Sequence, residues 1–109
     1  MKLIVAIVQD EDSHELNKAL RKNKFAATQL RSSGSFLRAG NTTFLIGVKD
    51  ELVEDVLEVI KEFGKHRTEF ISPTSYAETS PFGSLTPPVE VPIGGATVFV
   101  LPVDDFIKF

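Results

Sequence analysis

Residues able to contact a small ligand cluster in a polar segment rich in glycine and serine, between residues 32 and 41. Phe36 and Leu37 lie within it, where no apolar core requires them. An exposed aromatic ring at such a place can stack on a nucleobase. The pair could equally anchor the segment to the body of the protein, and composition leaves both interpretations open.

Asn41, at the end of this segment, carries an amide that matches the donor and acceptor edge of adenine. An asparagine before a strand is also a common turn residue. Further along the chain, Gly94, Gly95 and Ala96 could present backbone N–H groups as an anion nest. The alternative is that these small residues only open the following strand.

Two arginines, Arg31 and Arg38, flank the same segment and could offset the charge of a phosphate. Solvated surface positions are the ordinary alternative for both. The hydroxyl of Thr28 could donate to a phosphate or simply belong to a strand. Together, an aromatic ring, an amide and a small-residue turn are consistent with a purine nucleotide ligand.

Several classes of chemistry are disfavoured. The chain has no cysteine, and His14 and His66 are far apart, so no metal site is expected. No catalytic motif is present, and the acidic run on the second helix is typical of a solvated face, so the sequence does not predict an enzyme. The formal charge of -3 and the lack of an RNA-recognition signature in residues 42–48 argue against nucleic acid polymers.

The apolar run at residues 3–8 is too short to span a membrane and lacks the cleavage pattern of a signal peptide. Acidic residues follow it at once. A central strand explains this run, and we expect a cytoplasmic protein without a membrane partner.

The predicted order is strand, helix, strand, strand, helix, strand, which is an α+β, ferredoxin-like βαββαβ fold with an antiparallel sheet. Asp12 or Ser13 is expected to cap the first helix, and Asn23 to end it. Asp50 is expected to cap the second helix, and Gly64 to end it in a left-handed conformation. The predicted strands are residues 3–8, 25–31, 42–48, 67–72 (short) and 96–103, with loops at 32–41 and 73–92.

Several strands are apolar on both faces, although two helices can cover only one. Val5 and Ile4, for example, point to opposite sides of the first strand. An open apolar sheet of this size should not face water. The sequence therefore predicts an oligomer whose sheets pack inward.

Four stretches carry a resemblance to a known family: residues 7–10 (IVQD), 34–43 (GSFLRAGNTT), 88–91 (PVEV) and 94–100 (GGATVFV). The chain resembles the PII-like cyclic-di-AMP receptors over residues 1–109, as a single domain. The resemblance implies a homotrimer with cyclic-di-AMP in clefts between subunits, a short loop at 32–41 and a long flexible loop at 73–92. It implies no cofactor besides this ligand.

The resemblance also assigns roles by position. Phe36 and Leu37 would pack on an adenine and Asn41 would bind its edge. This chain has Ala26 where some relatives have an arginine beside the ligand, so Lys24 or Arg31 would meet the phosphate charge instead. The remaining positions are Thr28 and the backbone of Gly94, Gly95 and Ala96 near phosphate or ribose, Gly47 at the cleft floor, and Phe99 and the tail near Phe109 from a neighbouring chain.

The function expected on this basis is signal transduction. Binding of the second messenger cyclic-di-AMP would change loop conformation and so regulate an unidentified protein partner. The main alternative is a PII-like sensor of another small nucleotide such as ATP. An enzyme using the same cleft and a trimeric scaffold without a ligand are further alternatives.

Overall fold

The computed structural model describes residues 1–32, 40–71 and 88–109. Besides a single 3₁₀ turn within these ranges, the elements are two helices and six strands. They are β1 (Lys2–Gln9), α1 (Asp10–Lys22), β2 (Ala27–Ser32), β3 (Asn41–Val48), the 3₁₀ turn (Asp50–Leu52), α2 (Val53–Gly64), β4 (Arg67–Ile71), β5 (Val89–Ile93) and β6 (Ala96–Pro102).

Four strands form an antiparallel sheet in the order β2-β3-β1-β6. Both helices pack on one face of this sheet. The expected α+β class with an antiparallel sheet is confirmed, and the strand order is consistent with the ferredoxin-like arrangement. The strands at residues 3–8, 42–48 and 96–103 were predicted close to their observed bounds.

The core lies between this sheet and the two helices. Alternate residues of β1 are fully buried there because side chains on a strand point to opposite faces. Burying each large aliphatic side chain contributes about 1.5–3 kcal/mol. No helix in the described ranges has the length and apolar character needed to cross a bilayer. The core residues are Ile4, Ala6, Val8, Leu16, Leu20, Phe44, Ile46, Val48, Val56 and Ile60.

The opposite face of the sheet, called the open face below, is also apolar. Its residues follow from the register, since partners across antiparallel strands share a face. No described element packs over them as the helices do on the other side. The apolar residues of the open face are Leu3, Val5 and Ile7 on β1, Leu30 on β2, Leu45 on β3, and Phe99 and Leu101 on β6.

Strands β4 and β5 form a separate two-stranded antiparallel ribbon. The short strand expected at residues 67–72 is therefore present, as Arg67–Ile71. The loop predicted at 73–92 was too long at its end, because residues 89–92 belong to β5. The alternating apolar residues Val89, Val91 and Ile93 form this strand despite Pro92. A proline is tolerated here because no second described strand pairs with β5.

Helix α1 begins earlier than its sequence signals suggest. Asp10 is its first residue, and neither Asp12 nor Ser13 is the cap. Asp12 is instead buried, and its Oδ1 lies 2.8 Å from the Arg67 guanidinium at the start of β4. The expected cap is wrong because the carboxylate is used in a tertiary ion pair. The helix ends before Asn23 as predicted, and the Asn23 Nδ2 donates to the Ala19 carbonyl.

Helix α2 also differs at its ends. Asp50 opens the 3₁₀ turn, and its Oδ1 lies 2.8 Å from the N-terminal ammonium of Met1. A hydrogen bond from this ammonium is the main cause that lowers the pKa of Asp50. Gly64 ends the helix without a left-handed conformation, so that expectation is wrong. A Cβ there would lie 3.2 Å from Val8 and 3.4 Å from Ala96, so close packing favours glycine.

Candidate functional site

Four residues singled out in the sequence share the open face. By register, this face carries Thr28 on β2, Asn41 and Gly47 on β3, and Phe99 on β6. The sequence named them separately, and antiparallel pairing brings them onto one surface. Nothing in their local sequence required this, because it depends on which strands are neighbours.

Asn41 is the unusual polar residue of this surface. Only 3% of it is exposed, and its Oδ1 is a buried acceptor with no hydrogen-bond partner in the described structure. Buried polar atoms are almost always paired, because an unpaired one costs about 1–3 kcal/mol. Because this oxygen is buried, a donor from outside the chain could reach it only if the groups that cover it moved.

Gly47 leaves a gap in the same surface. No described atom lies within 4 Å of the position that a Cβ would occupy there. A ligand or a neighbouring chain could approach the backbone at this point without meeting a side chain. This geometry is compatible with the cleft-floor role that the resemblance implies.

Thr28 and Phe99 lie on the two edge strands of the sheet, β2 and β6. Neighbouring strands are about 4.8 Å apart, so the two edges are separated by roughly 14 Å. Two residues this far apart can contact one ligand more easily when they come from different subunits. The described sheet of one chain therefore does not bring Thr28 and Phe99 together.

Asp10 organises the base of the short loop. Its Oδ1 accepts a 2.6 Å hydrogen bond from the Thr42 hydroxyl, and its backbone N–H donates to the Gly40 carbonyl. A Cβ at Gly40 would lie 2.5 Å from the Asp10 Oδ2, so this position suits glycine. The carboxylate thus fixes the start of β3, where Asn41 lies.

Arg31 is turned to the helix side of the sheet, because it pairs in register with Thr42. Its guanidinium lies 3.4 Å from the Asp10 Oδ2, with the side chain 87% exposed. An exposed ion pair of this length contributes little to stability. The predicted phosphate neighbour is therefore only loosely held and can move toward another anion.

The Gly94–Gly95 turn uses its N–H groups inside the protein. The Gly94 N–H donates to the Gln9 Oε1 at 2.8 Å, and the Gly95 N–H donates to the Gly64 carbonyl at 2.7 Å. Both glycines have positive φ, 75° and 110°. An anion would have to displace these bonds, so the turn fits the strand-entry interpretation better than that of an anion nest.

A groove of about 400 Å³ runs between α2 and the free edge of β6. Two lysines and a histidine are among its lining residues, and most of the others are apolar or small. It includes two predicted positions, Gly95 and Ala96, but neither Asn41 nor Phe99. The lining residues are Leu57, Ile60, Lys61, Lys65, His66, Gly95, Ala96, Thr97 and Val98.

Lys24, the other predicted phosphate neighbour, is not brought near Asn41 within one chain. It has φ 63° and follows α1, before the start of β2. Asn41 pairs with Ser32 at the far end of that strand. Lys24 lines a depression of about 520 Å³ whose other residues include Asp55 and Glu58.

Phe36, Leu37 and Arg38 lie outside the described residues. In the described ranges, no group of three or more histidine, aspartate or glutamate side chains is placed to hold a metal ion. Sequence reasoning assigned no role to Gln9 or Asp10, although both belong to one of the quoted stretches. The available signal was that two polar residues directly follow a buried apolar strand.

The described chain is an α+β domain with a ferredoxin-like strand order and an amide at one end of its open face. A family model described as the cyclic-di-AMP receptor matches residues 1–109, so the chain belongs to the cyclic-di-AMP receptor family. The resemblance to PII-like cyclic-di-AMP receptors is thereby confirmed.

A solved structure is similar over nearly the whole chain. It is the crystal structure of a functionally unknown protein from Pediococcus pentosaceus ATCC 25745, with 44% sequence identity and a TM-score of 0.81. The alignment covers 99% of this chain and 96% of that one. The likeness supports the fold and adds no function of its own.

Proposed function

We propose that this protein is a cytoplasmic signal-transduction protein that binds cyclic-di-AMP at the subunit interfaces of a homotrimer. Binding would change the conformation of its loops and so regulate a protein partner. Membership of the cyclic-di-AMP receptor family supports the ligand and the signalling role. The interface location and the conformational switch go beyond what family membership shows.

The Oδ1 of Asn41, which has no hydrogen-bond partner among the described residues, carries this proposal. The exocyclic amino group of adenine donates one hydrogen bond, and the adjacent ring nitrogen accepts another. An asparagine amide matches both, with Oδ1 as the acceptor and Nδ2 as the donor. Adenine binding would therefore satisfy the buried acceptor, and the chain would recover the cost of leaving it unpaired.

The open face supports a ligand site shared between subunits. Val5, Ile7 and Leu45 in its centre are only half-buried in a single chain. A second and third copy packed on this face would cover them. Such packing would also bring the β2 edge of one subunit toward the β6 edge of another, joining Thr28 and Phe99 around one ligand.

The role is that of a receptor rather than an enzyme. Asp10 and Asp12, the carboxylates near the described site, are engaged with Thr42 and Arg67. Neither is placed as an uncommitted general acid or base. Cyclic-di-AMP recovered intact after long incubation would agree with this role, whereas linear products would contradict it.

Isothermal titration calorimetry tests the ligand directly. We expect cyclic-di-AMP to bind with about one ligand per chain, and cyclic-di-GMP to bind far more weakly because guanine has a carbonyl where adenine has an amino group. ATP serves as a competitor. Binding of ATP in preference to cyclic-di-AMP, or no binding of cyclic-di-AMP, would overturn the proposal.

A further inference from the structure

The last residue of β1 and the first residue of α1 hold two different connections. Gln9 accepts a 2.8 Å hydrogen bond from the Gly94 N–H, at the turn that joins β5 to β6. Asp10 holds Gly40 and Thr42, at the end of the short loop. Two consecutive side chains therefore link the base of the short loop to the base of the ribbon.

Gln9 also lies beside the candidate ligand residue. It pairs in register with Asn41, and the two share the open face. Because an N–H donor can bond only to the amide oxygen, Gly94 fixes the orientation of the Gln9 amide. The NH₂ group of Gln9 must then point away from the turn.

The Gly94 turn is one of the points at which the described part of the ribbon is held to the body. Gly94 directly follows Ile93, which pairs with Arg67 at the start of β4. Arg67 in turn contacts Asp12, whose side chain is only 7% exposed, and also donates to the Lys65 carbonyl. The Asp12 contact secures β4, and the Gln9 contact secures the end of β5.

We infer that Gln9 is a positioning residue that couples the Asn41 site to the base of the ribbon. The inference rests on the proposed function for its ligand. An adenine bonded to the Asn41 amide contacts the neighbouring Gln9 amide, and turning that amide lengthens or breaks its bond to Gly94. Coupling of this kind is reciprocal. If the ligand shifts the equilibrium between the closed and open turn by some factor, the two states of the turn differ in ligand affinity by that same factor.

The first test uses the ligand-free protein and does not depend on the ligand. Gln9→Met keeps the length of the side chain but removes the acceptor, whereas Gln9→Glu keeps an acceptor for the Gly94 N–H. Amide hydrogen exchange at residues 89–95 should become about 3- to 10-fold faster in Gln9→Met, the effect of one lost hydrogen bond. Gln9→Glu should retain the protection of the wild type.

Gln29→Met is the matched control, because Gln29 is an exposed glutamine on β2 that points to the other face of the sheet. It should leave exchange at residues 89–95 unchanged. Equal exchange in Gln9→Met and the wild type would overturn the inference. Faster exchange in Gln9→Glu as well would also overturn it, since the effect would then be structural rather than that of the acceptor.

The second test adds saturating cyclic-di-AMP. In the wild type, exchange at Gly94 and along β5 should change on binding. In Gln9→Met this change should disappear while the ligand still binds. The affinity should differ from that of the wild type by the coupling factor that the substitution removes. An undiminished change in Gln9→Met would refute the coupling. If the wild type does not bind cyclic-di-AMP, the proposed function and the coupling of Gln9 to that ligand are both refuted. The hydrogen-exchange test without ligand still decides whether the Gln9–Gly94 contact stabilises the turn.

Discussion

At the scale of single residues, Asn41 is expected to contribute more to ligand binding than to the stability of the fold. Its buried Oδ1 lacks a partner among the described residues, so removing the amide is expected to cost the fold little. We expect Asn41→Ala to weaken cyclic-di-AMP binding by about 1–3 kcal/mol, the usual value of a paired amide–adenine contact. Calorimetry measures the affinity, and thermal unfolding without ligand should show a melting temperature close to that of the wild type.

Asn17→Ala provides the control for this substitution. Asn17 lies on α1, on the helix side of the sheet and away from the open face. Its replacement should leave ligand affinity unchanged. If Asn41→Ala bound as well as the wild type, or if it lost affinity only because it unfolded, Asn41 would have no role in recognition.

The sequence identified most of the polar residues of the candidate site but not their arrangement. Asn41 could be named from its amide and its position before a strand. Its lack of a partner could not, because it depends on the packing of β1 and β3. Lys24 and Arg31 were equivalent in sequence, yet the structure places them at opposite ends of β2. Gln9 was overlooked because its contact, Gly94, is 85 residues away.

At the scale of elements, Gly94 forms part of the turn that joins the ribbon to the four-stranded sheet. Its φ of 75° costs about 1–2 kcal/mol for a residue with a side chain. A Cβ there would also lie 2.6 Å from the Lys65 carbonyl, which cannot easily move. We expect Gly94→Ala to lower the free energy of unfolding by more than this backbone cost alone, as measured by urea unfolding followed by circular dichroism.

Gly47→Ala is the matched substitution in the same protein. No described atom lies within 4 Å of its Cβ position, and its φ is not positive. The substitution should therefore leave the stability of the single chain nearly unchanged. Equal losses of stability from both substitutions would show that the Gly94 turn carries no special strain.

The ion pair between Asp50 and the N-terminus connects the start of β1 to the start of α2. The ammonium group lowers the pKa of Asp50 below its ordinary value of 3.8. A carboxylate with a lowered folded-state pKa stabilises the fold above its unfolded pKa, and this contribution is lost as the pH falls through the folded value. Asp50→Asn should therefore reduce the melting temperature slightly at pH 7, and its difference from the wild type should shrink as the pH falls below 3.8.

Asp104→Asn, in the exposed tail, controls for the general effect of removing a carboxylate. It should not show this dependence on pH. A difference between Asp50→Asn and the wild type that grew as the pH was lowered would mean that the contact with the ammonium is not its source.

The elements that were predicted well have a strong local pattern. The apolar runs of β1, β3 and β6 and the apolar face of α2 predict their own structure, because burial and local propensity agree. Strand β5 was missed because the prolines around it are typical of a loop. The predicted helix starts were wrong because Asp12 and Asp50, both good capping residues, are used in tertiary ion pairs. Asp12 binds Arg67 and Asp50 binds the N-terminal ammonium, and both partners are distant in sequence.

At the scale of the whole molecule, the two faces of the sheet differ in how far they are buried within one chain. The helices bury the central part of one face, whereas the open face carries a continuous apolar surface from β1 to β6. Surfaces of this kind on soluble proteins usually mark an interface. The same face carries Thr28, Asn41, Gly47 and Phe99, so covering it and completing the ligand site would be one event. Ligand binding should then depend on assembly.

Two neighbouring residues of β6 allow a sharp test of assembly. Leu101 is 45% exposed on the open face, and Val100 is 41% exposed on the opposite face. Their similar exposure makes the cost of a glutamate similar within one chain. If three chains pack through the open face, only Leu101→Glu introduces a buried unpaired charge at the interface, which costs several kcal/mol.

Light scattering of the wild type and both variants measures the outcome. Three chains of 12.0 kDa give a trimer of about 36 kDa (3 × 12.0). We expect this mass for the wild type and for Val100→Glu, and a shift toward 12.0 kDa for Leu101→Glu, which should also lose most of its cyclic-di-AMP binding. A monomeric wild type, or a Leu101→Glu variant that remained trimeric, would show that something other than further copies of the chain covers the open face. The ligand site would then have to be complete within a single subunit. One ligand would have to span the roughly 14 Å between its two edge strands in order to contact both Thr28 and Phe99.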